Sequence, residues 1–290
     1  TGGDLDVSVP FEKYHGTGND FVVVDAALTV EDRYAFARSV CDRQRGVGAD
    51  GVLFLALEPV YSPPRVVMTL VQPDGSTAAM CGNGARCAAH WAARRTGADE
   101  VMVDTLAGTR HATVADGQAD ESEAAVEMGT PSFAPDDVPL ARDEPLVEER
   151  VGDHDVTAVN TGVPHAVAFV DDVDDVAVEQ DAPEVRHADG FPEGANVTFA
   201  SRAGDAAFDQ RTFERGVEGE TDSCGTGAVA VAAVARRLGL TDGDRVAVSP
   251  PGGDLTVSFD GDLATLSGPV VREFEDEVDP TSPRKMDSEA

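Results

Sequence analysis

The chain has 290 residues, enough for two domains of ordinary size or one large one, and 41% of them are hydrophobic, which fills real cores and excludes a disordered chain. Against 22 basic residues stand 54 acidic ones, and the formal charge of -32 repels a phosphate backbone and excludes nucleic acid as a partner. The longest apolar run, Ala228 to Ala235, is far below the roughly 18 residues of a membrane helix, and Asp4 and Asp6 stand where a leader carries basic residues; a soluble, cytoplasmic protein with no membrane contact is expected.

In chain order, β-rich runs come first: Val7 to Lys13, Phe21 to Asp25, Gly51 to Leu57 and Arg65 to Val71, with a turn at Pro73-Asp74-Gly75. One helix interrupts them, with Thr29 as its N-cap, Asp32 three residues on, and Val30, Tyr34, Ala37 and Cys41 on one face, which makes Cys41 a core residue. The run Cys81 to Cys87 (CGNGARC) leads into the Ala-rich helical stretch Ala88 to Arg95 and the strand Val101 to Asp104. The second half repeats this order: Cys224-Gly225-Thr226-Gly227-Ala228 opens an apolar stretch to Leu238, and the strand Arg245 to Val248 follows. Both copies continue through a glycine turn, Ala107-Gly108 or Gly252-Gly253, into a strand pair bent at Asp116-Gly117 or Asp260-Gly261. A helix of Ala and Val without a polar face needs sheet all around it. The expected fold is therefore α+β, with two similar domains of mainly antiparallel strands, each wrapped around a central helix. The acidic stretches Asp116 to Glu123, Asp136 to Glu149 and Asp171 to Asp181 read as exposed loops or edges, and Asp276 to Ala290 as a polar, mobile tail.

Only two lysines occur, Lys13 and Lys285. An acid-rich, lysine-poor surface suits a halophilic setting, where counterions shorten the Debye length to about 3 Å at 1 M salt and mute carboxylate repulsion. A chain of this length does not need a disulfide scaffold, which leaves some of the four cysteines, Cys41, Cys81, Cys87 and Cys224, as thiols for chemistry.

A cysteine at a helix mouth, followed by two glycines, sits among free backbone N–H groups and the positive end of the helix dipole. Such a mouth binds carboxylate, and its field is expected to lower the thiol pKa toward neutrality. One such cysteine is also simply a small buried residue; two copies, with Asn83 and Thr226 adding polar groups, point to a cleft that holds one carbon between two sulfurs. One sulfur would remove a proton and the other deliver one to the opposite face.

These residues resemble the diaminopimelate epimerase family over about Pro10 to Glu275. The motifs, in family order, are Phe11 to Phe21 (FEKYHGTGNDF), Gly46 to Asp50 (GVGAD), Met80 to Arg86 (MCGNGAR), Pro164-His165, Glu214-Arg215-Gly216 and Thr221 to Gly227 (TDSCGTG). The resemblance implies a cofactor-independent epimerase interconverting LL- and meso-diaminopimelate in lysine biosynthesis. It implies Cys81 and Cys224 as acid and base, and Asn19, Gly82, Asn83, Gly225 and Thr226 around the reacting carboxylate. His165 and Glu214 would hold the α-amino end, and Arg215 and Asn196 the distal amino-acid group. Gln72 stands where many members have Asn, Val163 precedes Pro164 where Asn is frequent, and Gly51 stands where some have Gln. Gln72 still hydrogen-bonds and counts among the substrate-binding residues; Val163 does not, so distal recognition is expected to be rebuilt.

The resemblance also implies residues 1–127 as an N-terminal epimerase domain completed by a strand at about 266–276, residues 128–265 as a C-terminal one, and 277–290 as a tail. A small-molecule substrate is expected, with no metal and no pyridoxal phosphate, since only Lys13 stands outside the tail as a Schiff-base lysine. A homodimer is open to the chain. Proline or hydroxyproline racemases share the two cysteines but usually show His where Asn83 stands. Gly225-x-Gly227-x-x-Ala230, with Asp244 further on, also matches the dinucleotide fingerprint, yet Glu220 to Ser223 precede it where an apolar strand is needed. A zinc site lacks paired ligands, because Cys81 and Cys87 have no His partners.

Overall fold

A computed structural model describes residues 8–279. The chain is rich in strands and has four α-helices among the described residues. In order these are β1 (Val9–Gly16), β2 (Asn19–Asp25), α1 (Arg33–Val40), β3 (Gly51–Glu58), β4 (Arg65–Val71), β5 (Thr77–Ala78), α2 (Gly82–Thr96), β6 (Glu100–Thr105), β7 (Gly108–Val114) and β8 (Glu121–Gly129). There follow β9 (Glu149–Val151), β10 (His154–Asn160), β11 (Pro164–Phe169), α3 (Val178–Arg186), β12 (Asn196–Gly204), β13 (Ala207–Glu214), β14 (Gly219–Thr221), α4 (Gly225–Arg237), β15 (Arg245–Ser249), β16 (Leu255–Asp260) and β17 (Leu263–Val278).

Eight strands close on themselves in the order β1, β2, β3, β4, β6, β7, β8, β17 and back to β1. α2 runs inside this barrel and packs on most of its strands. A second run, β9, β10, β11, β12, β13, β15 and β16, continues onto the same β17 and surrounds α4. Antiparallel pairs dominate. The parallel pairs β2–β3, β4–β6, β11–β12 and β13–β15 each need a crossover, and the crossovers carry α1, α2, α3 and α4 in turn.

The interior helices explain their composition. Residues 225–235 of α4 are all buried, as are residues 82–93 of α2, so neither helix offers a face to solvent. One continuous apolar cluster contains both helices and includes Cys87. A second cluster lies under α3, and a third under α1, with Cys41 in it as the sequence led us to expect.

Several boundaries differ from the sequence reading. Asp32, not Thr29, caps α1: its carboxylate accepts from the Tyr34 and Ala35 amides at 3.0 and 2.9 Å, and a carboxylate in that position is worth about 1 kcal/mol. Starting the helix at residue 33 turns Tyr34 outward, where it is exposed. The acidic stretch 171–181 enters helix α3 and 116–123 enters β8, whereas 136–149 runs to β9, which pairs with β10 alone among the described strands and so forms the expected edge. Asp276 to Val278 pair with β1, which removes them from the expected tail. Residues 280–290, with Lys285, and residues 1–7, with Asp4, Asp6 and Val7, lie outside the described residues.

Candidate active site

Two short strands, β5 and β14, deliver the chain to the mouths of α2 and α4, and the two N-cap residues are Cys81 and Cys224. The helix mouths meet over Leu266 of β17. A Cβ on Gly82 would lie 2.6 Å from Leu266 Cδ2, and one on Gly225 would lie 2.8 Å from the same atom and 3.0 Å from Asn83 Oδ1. A side chain on either glycine would push Leu266 aside. Both thiols therefore open into one cavity of about 380 Å³, whose walls also include Asn19, Gln72, Gly82, Asn83, Asn196, Glu214, Arg215, Gly225 and Thr226.

Burial dominates the thiols. It pushes Cys81 up to about 12, against the pull of the Gly84 amide, which donates to its sulfur at 3.3 Å. Burial also raises Cys224 well above an ordinary thiol, with the nearby Glu214 charge adding to the shift. The expected depression by the helix mouths is thus reversed, because burial costs an anionic sulfur more than one or two amides return.

Glu214 ends β13, and its Oε1 accepts from Thr221 Oγ1 at 2.6 Å. Burial nonetheless lifts the carboxyl to about 7. Asn19 reaches the cavity from the β1–β2 hairpin; its amide donates to Asp50 at 2.8 Å, which leaves Oδ1 toward Asn83 Nδ2 (3.3 Å) and the Cys81 thiol (3.8 Å). Asn83 Oδ1 is buried and has no hydrogen-bond partner among the described residues.

His165 is the one expected site residue that does not line the cavity. It is fully buried, with one ring nitrogen 2.9 Å from Thr226 Oγ1 and the other 3.1 Å from Thr198 Oγ1. Burial, with the Arg215 charge beside it, pushes its imidazole down to about 3, so the ring is neutral and supports Thr226 from behind. Thr226 in turn lies 3.4 Å from the Cys224 sulfur. Asn196 accepts from the Arg215 amide at 2.7 Å, and the Arg215 guanidinium donates to the Glu193 and Gly194 carbonyls at 3.1 and 3.2 Å. Gln72 packs on Gly216, and Val163 forms part of the same wall. Lys13 is buried and held by Asp20 at 2.5 Å and the Gly48 carbonyl at 2.6 Å.

The sequence reading passed over Asp50, Thr221 and Ser223, all of which line the cavity. Each lies inside a motif already quoted, so the signal was present, but nothing in the spacing said which motif residues face inward.

The diaminopimelate epimerase family model matches residues 11–134 and 157–272. The chain is 45% identical over 281 residues to the diaminopimelate epimerase of Methanocella arvoryzae, covering 93% of this chain and 97% of that protein. It is 46% identical over 269 residues to the diaminopimelate epimerase of Methanothrix thermoacetophila, covering 90% and 92%. Its fold is similar to the crystal structure of a hydroxyproline epimerase from Agrobacterium vitis with bound trans-4-hydroxy-L-proline, at a TM-score of 0.66, 18% identity and coverage of 93% and 91%. With the motifs, the family match and these relatives in agreement over nearly the whole length, the chain belongs to the diaminopimelate epimerase family.

Proposed function

We propose that the protein inverts one α-carbon of diaminopimelate, interconverting the LL and meso forms for lysine biosynthesis, with Cys81 and Cys224 as paired base and acid. The observation that carries this reading is the placement of both thiols at helix N-caps on one cavity. One sulfur, as thiolate, takes the α-proton; the electron pair spreads into the carboxylate; the opposite thiol returns a proton to the other face. Each turnover leaves the thiol and thiolate exchanged and consumes no cofactor. The N–H groups at both helix mouths face the developing carboxylate charge, the kind of fixed stabilisation that lowers such barriers most. Glu214, as carboxylate, holds the α-ammonium, and that ammonium brings positive charge beside the anionic sulfur, which favours the thiolate. Arg215, Asn196 and Gln72 take the distal amino-acid group. His165 acts through Thr226 rather than on substrate.

The strand circuits around α2 and α4 support a reading as two similar domains, residues 1–127 with 266–276 and residues 128–265, whose cleft is the site. The acidic composition supports a salt-rich cytoplasm as the working environment.

The test is incubation with LL-diaminopimelate in deuterated water. Formation of the meso form with deuterium at the inverted carbon is expected, and Cys81→Ala and Cys224→Ala should each reduce inversion at least a thousandfold. Turnover of trans-4-hydroxyproline with none of either diaminopimelate isomer would overturn the substrate, and full activity in a folded single variant would overturn the paired-thiol mechanism.

A further inference from the structure

A buried polar chain behind the two helix mouths has no part in the reaction as proposed. Arg86 of α2 is fully buried and forms no ion pair among the described residues. Its Nη2 donates to Thr17 Oγ1 at 3.3 Å and to the Pro269 carbonyl at 3.4 Å. Thr17 Oγ1 lies 2.6 Å from Ser223 Oγ, joining the β1–β2 hairpin to the residue before Cys224. From the other side, Asn83 Nδ2 donates to Ser223 Oγ at 3.1 Å.

The direction of this chain follows from its ends. A guanidinium and an amide nitrogen only donate, so Thr17 and Ser223 each accept one hydrogen bond from outside the pair. The two hydroxyls hold two protons, and one bridges them. The other needs an acceptor, because a buried donor left without one costs more than a typical hydrogen bond contributes. Thr17 is 2% exposed and is no part of the cavity wall, whereas Ser223 lines the cavity.

We infer that Thr17 donates to Ser223, and that Ser223 Oγ donates its own proton to the α-carboxylate of the bound substrate. Ser223 is then a substrate-binding residue, and Thr17 and Arg86 are positioning residues that aim its proton. The inference rests on the proposed function, because it takes an amino-acid carboxylate as the occupant.

Steady-state kinetics of the full chain test it. Ser223→Ala should raise KM and lower kcat/KM by about tenfold or more, as loss of one hydrogen bond to a charged group does. Thr17→Val should lose part of this, and Thr17→Ser should recover it. The double variant Thr17→Val/Ser223→Ala should be no worse than Ser223→Ala alone, since Thr17 acts only through Ser223. An unchanged KM in folded Ser223→Ala, or losses that simply multiply in the double variant, would overturn the assignment. Should Ser223→Ala not fold, equal KM values for Thr17→Val and Thr17→Ser would overturn it. Failure of the substrate reading shows separately, as a wild-type enzyme inactive on diaminopimelate, and the same comparison is then made on the amino acid that it does turn over.

Discussion

Glu214 is the carboxyl in the cavity that ionises near neutrality, at about 7, because burial outweighs its hydrogen bond from Thr221. Holding an ammonium group requires the carboxylate, so the pH profile of kcat/KM is expected to gain a further fall of about tenfold per pH unit below about 7, on top of the slope set by the buried thiols. Glu214→Gln should remove that break at a low rate; a wild-type profile without a break down to pH 5 would refute the role. The same shift has a sign for stability. The folded carboxyl binds its proton more tightly than the unfolded one, so Glu214 stabilises the fold at low pH, and that contribution is lost as the pH rises from about 4.5 past about 7. The working form of the site is thus the less stable form. At this scale the sequence revealed residue types and their order, since Cys81, Cys224 and Glu214 were legible from motifs. It did not reveal ionisation, because a helix mouth read in isolation omits the desolvation that raises both thiols. Nor did it reveal that His165 stands behind Thr226 instead of in the cavity.

The legible elements were those with a local signature. Arg65–Val71 matched to the residue, and α4 announced itself by having no polar face. α3 was missed because its acidic residues and Pro183 resemble a loop, and the helix is specified instead by Val178, Ala182 and Val185 packing on strands distant in sequence. The contact of α2 with α4 is likewise non-local, and it is tight. Gly225→Ala places a methyl group 2.8 Å from Leu266 Cδ2, and such overpacking costs about 1–3 kcal/mol. A lowered unfolding midpoint together with a large loss of turnover is expected, measured beside Gly190→Ala, where the added methyl meets nothing within 4 Å. Matching behaviour of the two variants would mean that the helix mouths are not held by this contact.

Taken whole, the molecule carries a formal charge of -32. Self-repulsion on that scale weakens the compact state, and molar salt, with a Debye length of about 3 Å, screens it. The unfolding midpoint is expected to rise steadily from dilute buffer to molar potassium chloride; a level midpoint over that range would remove the salt-rich environment from the account. Charge of this kind is legible from composition alone. Chain connectivity is not, and β17 shows what it entails. This strand of 16 residues pairs with β16 and β8 along its first half and with β1 along its second, so both strand circuits depend on it. It is also made after every other described strand. During synthesis, therefore, the edges of β1 and β8 wait unpaired while the ribosome passes through β16, and neither helix is enclosed until Leu263 and the residues after it emerge. A messenger truncated just before that codon would yield a chain with all four helices encoded and no finished wall around α2. Both strand circuits thus wait for the last of the described strands, and the reactive thiols stay unpositioned until it has been made.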